Sequence, residues 1–315
     1  MRVDVHAHLW SQAYLDLLTR LGNDRAAEQG RLGAGTTEAE LDARFEQMTT
    51  AGVDLQVLST TPAPPHFENE SAAVEAARFV NDEYARLVQE HPGRFKAFAS
   101  LPLPHTDAAL AELGRAVDEL GFLGVAITTS VLGRTLADPA FLPVYEELDR
   151  RGSVLFVHPA GVGAASPLIG PELTWQIGAP IEDTVAVMHL IVAGIPSRFP
   201  RMKIVLPHLG GALPMLLPRI DRQNPWEAPE TPELPSLAAR RIFYDTVGHN
   251  HIPALRLAAE TLGADRLVLG SDFPYQKGDG FTEAVTYVQR SGLPENDVTN
   301  ILDRTAVDLL GLGTD

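Results

Sequence analysis

The 315-residue chain contains no cysteine. That excludes disulfides, thiolate metal sites and a cysteine nucleophile, and it fits a reducing, cytoplasmic setting. Basic residues are in deficit: 25 Lys and Arg stand against 41 Asp and Glu, a formal net charge of −16. A surface of that sign repels phosphate backbones and anionic lipid heads, which argues against nucleic acid and membrane surfaces as partners. No apolar run reaches the length of a membrane span. The start, Met1-Arg2-Val3-Asp4-Val5-His6, puts charge where a signal peptide would be apolar. Any anionic substrate must therefore meet local, specific cations.

What the chain does have is a rhythm. Eight short runs rich in Val, Ile, Leu and Phe, at 2–8, 53–59, 95–101, 124–129, 153–158, 203–208, 242–247 and 266–272, are bounded by Gly or Pro and read as buried parallel strands. Helical patterns separate them. Thr37 and Glu40 form a capping box ahead of Leu41, Phe45 and Met48, and Leu110, Leu113, Val117 and Leu120 make a later stripe. Eight strand–helix alternations predict an α/β fold, a (β/α)₈ barrel formed as one unit over 1–315, with small insertions at its C-terminal rim. The insertions are 9–36 after the first strand, 160–180 after the fifth, and 223–236. The last carries four prolines and reads as a stiff irregular loop.

Barrel enzymes build their sites where strands end. His6 and His8, two apart in a strand, share a face and could chelate one ion. Alone, the pair is a weak signal and reads more readily as ordinary hydrogen bonds at a strand end. Three further strands finish on a comparable group: Val157-His158-Pro159, Pro207-His208 and Gly270-Ser271-Asp272. Five imidazole and carboxylate groups gathered at one rim make a candidate metal centre.

These stretches, Asp4-Val5-His6-Ala7-His8, Phe156-Val157-His158-Pro159, Pro207-His208-Leu209-Gly210-Gly211-Ala212-Leu213-Pro214 and Gly270-Ser271-Asp272-Phe273-Pro274, together with Glu119-Leu120-Gly121-Phe122, resemble the metal-dependent amidohydrolase superfamily. Within it they resemble the non-oxidative decarboxylases that include aminocarboxymuconate-semialdehyde decarboxylase, and the resemblance covers nearly the whole chain. It implies that His6, His8, His158 and Asp272 hold one divalent ion, zinc or, in some relatives, manganese. It implies that His208 handles protons beside the ion, with Asp272 sharing in the transfer. It implies a homodimer in which Arg219 reaches the neighbouring subunit's site, and Trp175 as a wall of the substrate pocket. The activity implied is decarboxylation of a small aromatic or unsaturated carboxylic acid. The rival reading is hydrolysis of a small lactone or amide at the same site.

Two departures stand out. Resorcylate-type relatives carry Glu at the first histidine's position, so His6 favours the aminocarboxymuconate-type ligand set. The segment that supplies that enzyme's substrate arginine is shorter here. Arg44, the nearest candidate, falls on a helix pattern and reads as a surface charge. Among the other histidines, His189 lies in an apolar helix pattern and reads as buried and satisfied. His66, His249 and His251 follow strand ends with roles left open.

Overall fold

The structure is a computed structural model and describes residues 1–313; the last two positions of the 1–315 unit read from the sequence lie outside that range. Eight parallel strands form the expected barrel: β1 Val3–His8, β2 Leu55–Ser59, β3 in two pieces (Phe95–Ala97 and Ala99–Ser100), β4 Gly124–Thr128, β5 Val154–His158, β6 Lys203–Leu206, β7 Phe243–Asp245 and β8 Leu267–Val268. Neighbours in sequence are neighbours in the ring. Phe98, whose N–H donates to Leu58 O, carries the sheet across the break in β3. The ring closes where Val5 N donates to Leu269 O, His8 N to Phe273 O, and Asp272 N to His6 O.

The principal helices on the outside are α1 Gln12–Arg20, α2 Glu38–Ala51, α3 Glu70–Glu90, α4 Thr106–Asp118, α5 Leu142–Arg151, α6 Ala179–Val192, α7 Leu213–Glu227, α8 Ile252–Leu262 and α9 Asp279–Gln289. The capping box of α2 is present as the sequence predicts. No helix among the described residues is long and apolar enough to cross a membrane. The proline-rich segment differs from its expectation: α7 continues to Glu227 with Pro218 and Pro225 inside it, and Pro235 opens another short helix. Each of these prolines removes an amide donor and leaves the carbonyl four residues back without its helical partner, a cost that the rest of α7 outweighs.

Val3, Val5, Val57, Phe98, Phe156 and Val205 come from five strands yet pack as one buried cluster, so they fill the barrel's interior. His6 meets Phe156 edge-on, with centroids 5.2 Å apart, so it faces the same interior. Strict alternation forbids adjacent residues Val5 and His6 from sharing a face. The register of β1 on β2 shifts between Asp4 and Ala7, and this bulge resets the phase. Apolar residues thus fill the barrel up to Val5, and histidines take over from His6.

Candidate metal centre and its cavity

His6, His8, His158 and Asp272 each offer one ligand atom, and these atoms lie within 4.8 Å of one another. The residues are 0, 0, 3 and 6% exposed. His6 Nε2 lies 3.1 Å from His8 Nε2, and each is 3.2 Å from Asp272 Oδ1.

The other ring nitrogens are all engaged. His6 Nδ1 is 2.6 Å from Asp245 Oδ2, His8 Nδ1 is 3.1 Å from Ser59 Oγ, and His158 Nδ1 is 3.0 Å from Pro159 O. Protons on the Nδ1 atoms turn the Nε2 lone pairs toward a common point. Two facing lone pairs 3.1 Å apart repel unless a cation lies between them. Separations of this size suit neighbouring ligands about 2.1 Å from a shared ion. The residues therefore fit one divalent metal. Burial, reinforced by the charge of His6, lowers His8 to about 4, which keeps it neutral as a ligand must be. Burial also opposes the charged form of His6, but Asp245 and Asp272 outweigh it and raise that group to about 9, so a metal binding there must displace the Nε2 proton.

His208 stands beside this set. Its Nε2 is 3.8 Å from Asp272 Oδ2, its Nδ1 is 2.8 Å from Asp183 Oδ2, and its backbone N–H donates to Asp245 Oδ1 at 2.9 Å. Both His208 and Asp272 have left-handed backbone, with φ of 53° and 61°. Such conformations cost of order 1–3 kcal/mol for non-glycine residues and persist where surrounding contacts over-determine them. Burial opposes ionisation of His208, but the Asp183 carboxylate more than compensates and holds it well above the ordinary imidazole range.

Beneath the ligands runs a buried polar chain. Asp4 Oδ1 accepts from His6 N at 3.1 Å and Ser271 N at 2.9 Å, while Gln56 Nε2 donates to Asp4 Oδ2 at 2.8 Å. Arg44 completes it, and its expected place on the surface is wrong. The residue is 2% exposed, with Nε donating to Gln56 Oε1 at 2.7 Å and Nη1 to His8 O at 2.8 Å. Its guanidinium lies over Phe273 and Phe95, 4.6 and 5.2 Å from their centroids. Arg44 shares the inward stripe of α2 with Leu41, Phe45 and Met48, the spacing that buries a side chain whatever its charge.

Above the ligands opens a cavity of about 420 Å³, within the usual range for small-molecule sites. His158, His208 and Asp272 lie at its floor, and Trp175, Met215 and Leu257 are among its apolar walls. Trp10 stacks on His8 at 5.5 Å, and Tyr275 meets the same ring edge-on. Trp175 lines the cavity. Arg219 is exposed on α7, which contributes Pro214 and Met215 to the lining rather than Arg219.

His249 also lines the cavity, whereas His251 is exposed at the start of α8. His66 has Nδ1 3.4 Å from Thr128 Oγ1 and a buried Nε2 without a partner among the described residues. His189 is half-buried, in a groove beside Glu182 and Val185 rather than in this cavity. Sequence reasoning missed Asp183 and Asp245. The signals were an acidic pair opening an otherwise apolar helix, and an aspartate within the seventh strand's run.

The family model described as amidohydrolase matches residues 3–312. The 2-amino-3-carboxymuconate-6-semialdehyde decarboxylase of Dictyostelium discoideum is 29% identical over 276 residues, covering 86% of this chain and 76% of that protein. The gamma-resorcylate decarboxylase of Rhizobium sp. (strain MTP-10005) is 31% identical over 262 residues, covering 76% of this chain and 78% of that protein. The solved structure of 2,6-dihydroxybenzoate decarboxylase from Rhizobium superposes with a TM-score of 0.82 at 25% identity, covering 99% of this chain and 98% of that one.

Proposed function

The chain belongs to the amidohydrolase family and to its branch of non-oxidative decarboxylases, and from that premise we propose that it removes CO₂ from a small aromatic or unsaturated acid. The carboxylate would bind together with an adjacent hydroxyl, amino or carbonyl group. The observation that carries this reading is the pairing of a polar floor with apolar walls: three histidines and an aspartate set to hold one ion, His208 beside them, and a chamber of about 420 Å³ above.

The residues divide the work. His6, His8, His158 and Asp272 would hold zinc, or manganese as the alternative, since three imidazoles and one carboxylate suit either. Such an ion, when bound, supplies a fixed positive charge that orients the carboxylate and stabilises developing negative charge. When the bond to the carboxylate carbon breaks, its electron pair stays on the substrate carbon and CO₂ departs. His208 Nε2, 3.8 Å from Asp272 Oδ2 at the cavity floor, donates the proton that this carbon takes up. Asp272 shares in that transfer, and water returns the proton to His208. The apolar walls keep other water from the carbanion.

The test is CO₂ release from a panel of hydroxybenzoates, run beside a panel of lactones. Release from an acid bearing an ortho hydroxyl is expected. Lactone opening without CO₂ release from any acid would replace decarboxylation by hydrolysis.

The assembly belongs to the same reading. A chain of net charge −16 that binds an anion needs a local cation besides the metal. A homodimer that brings Arg219 to its partner's cavity supplies one. The exposed position of Arg219, on a helix where Met215 and Trp226 are also 66 and 82% exposed, supports it. Arg219→Ala should then raise KM while leaving the metal in place, and Lys should rescue it poorly for want of the planar two-pronged donor. A fully active monomer would overturn the dimer.

A further inference from the structure

Glu182, Asp183 and Thr184 open α6 side by side, and each reaches a different part of the rim. Glu182 behaves as a structural carboxylate: its oxygens accept from Thr129 Oγ1 and from the backbone N–H groups of Ala160, Gly161 and Gly163. Thr184 Oγ1 accepts from Ala212 N at 2.8 Å. Asp183 differs. It is fully buried, Oδ2 meets His208 Nδ1 at 2.8 Å, and Oδ1 is buried with no partner among the described residues. A half-satisfied buried carboxylate is costly, and among the described residues the imidazole is the one hydrogen-bond partner this one has.

The backbone is shaped for this contact. Gly211 closes the turn that carries His208, at φ +64°, and a Cβ there would lie 2.1 Å from Pro180 O and 2.6 Å from Thr184 Oγ1. Only glycine lets the turn settle on the first turn of α6, which is where Asp183 waits.

We propose that Asp183 is a positioning residue for proton transfer: it keeps a proton on His208 Nδ1, so that Nε2, facing Asp272 and the cavity, is the nitrogen that gives and regains the transferred proton. This rests on the reading of His208 as the proton donor. With Asp183 in place, release of the Nε2 proton leaves a neutral imidazole still protonated at Nδ1. An asparagine can instead turn its NH₂ toward Nδ1. The ring proton then sits on Nε2, in an imidazole that cannot release it without becoming an anion.

The experiment is a double-mutant cycle on the zinc-loaded enzyme, with Asp183→Asn, His208→Asn and the pair together. Metal content and circular dichroism confirm that each variant is loaded and folded. Asp183→Asn should lower kcat by at least ~10²-fold, with KM within about threefold of wild type. In the His208→Asn background the same change should cost no more than about twofold, because the two act as a unit. ¹⁵N–¹H imidazole spectra supply a readout apart from activity. A protonated Nδ1 signal that is absent from His208→Asn should be present in wild type and lost in Asp183→Asn. If the asparagine protein does not accumulate, Asp183→Ala takes its place in both measurements. Equal losses in both backgrounds, a wild-type kcat in Asp183→Asn, or an unchanged Nδ1 signal would each overturn the assignment of Asp183 alone. A fully active His208→Asn enzyme would overturn the donor reading and this inference with it.

Discussion

At the floor of the cavity, His6, His8 and His158 have their outer nitrogens tied to Asp245, Ser59 and Pro159 O, and the ligand residues are at most 6% exposed. On its walls Trp175, Met215 and Leu257 are 49, 66 and 41% exposed, and they come from a rim segment and two helices rather than from strands. The floor is over-determined and the walls are not. Chemistry that tolerates little displacement is placed on hydrogen-bonded strand ends, and discrimination among substrates is left to side chains that can be exchanged without disturbing it.

The comparison is most exposed to failure at the ligands. His6→Ala or Asp272→Ala removes one of four protein ligands, so each should abolish turnover and lower the metal content measured by elemental analysis. Full occupancy in the His6→Ala protein would mean that the floor is not the metal site.

His208 lies on the floor without being a ligand, and it separates two kinds of loss. His208→Ala should keep its metal and lose at least ~10²-fold in turnover. If the metal goes with the side chain, His208 belongs to the ligand set.

Asp245 sharpens the claim of over-determination. One oxygen holds His6 Nδ1, and the other accepts from the backbone of His208 and Val247. Asp245→Asn should weaken metal affinity by about 10–100-fold, the usual cost of losing a partner behind a ligand. Competition with a chelator measures it. Wild-type affinity would show that the ligands are held by strand geometry alone.

Much of this floor was legible before the structure, because strand ends are marked twice. A β-rich run fixes where a strand stops, and a His or Asp at that point stands out against Val, Ile and Leu. His6, His8 and His158 carried that mark on the strands themselves, and His208 and Asp272 carried it two and four residues past the ends of β6 and β8. Arg44 and Asp183 carried a weaker one. Each sits on the inward side of a helix, where its meaning depends on which residue of another element lies opposite, and no local pattern encodes that. The bulge before His6 was hidden for the same reason, since register belongs to a pair of strands. The helix through Pro225 was lost to a composition argument that treated proline as a terminator, whereas α7 continues past it at the cost of one backbone hydrogen bond.

The smallest expected effect lies on the wall. Trp175 is half-exposed, and its ring packs on Gly161, where a Cβ would come within 2.8 Å of it. An aromatic contact with substrate contributes about 0.5–1.5 kcal/mol beyond simple burial, or roughly 2- to 12-fold in binding. Trp175→Ala should therefore raise KM for an aromatic acid by about that factor, with kcat within about twofold and metal content unchanged. Gly161→Ala approaches the same wall from behind. Its backbone is left-handed at φ +71°, and the added methyl must push the indole aside, so it should raise KM in the same direction with the tryptophan still present. Steady-state kinetics on the two variants, with one substrate, check both. A collapse of kcat or a loss of metal in Trp175→Ala would show that wall and floor are one mechanical unit, and the division drawn between them would fall.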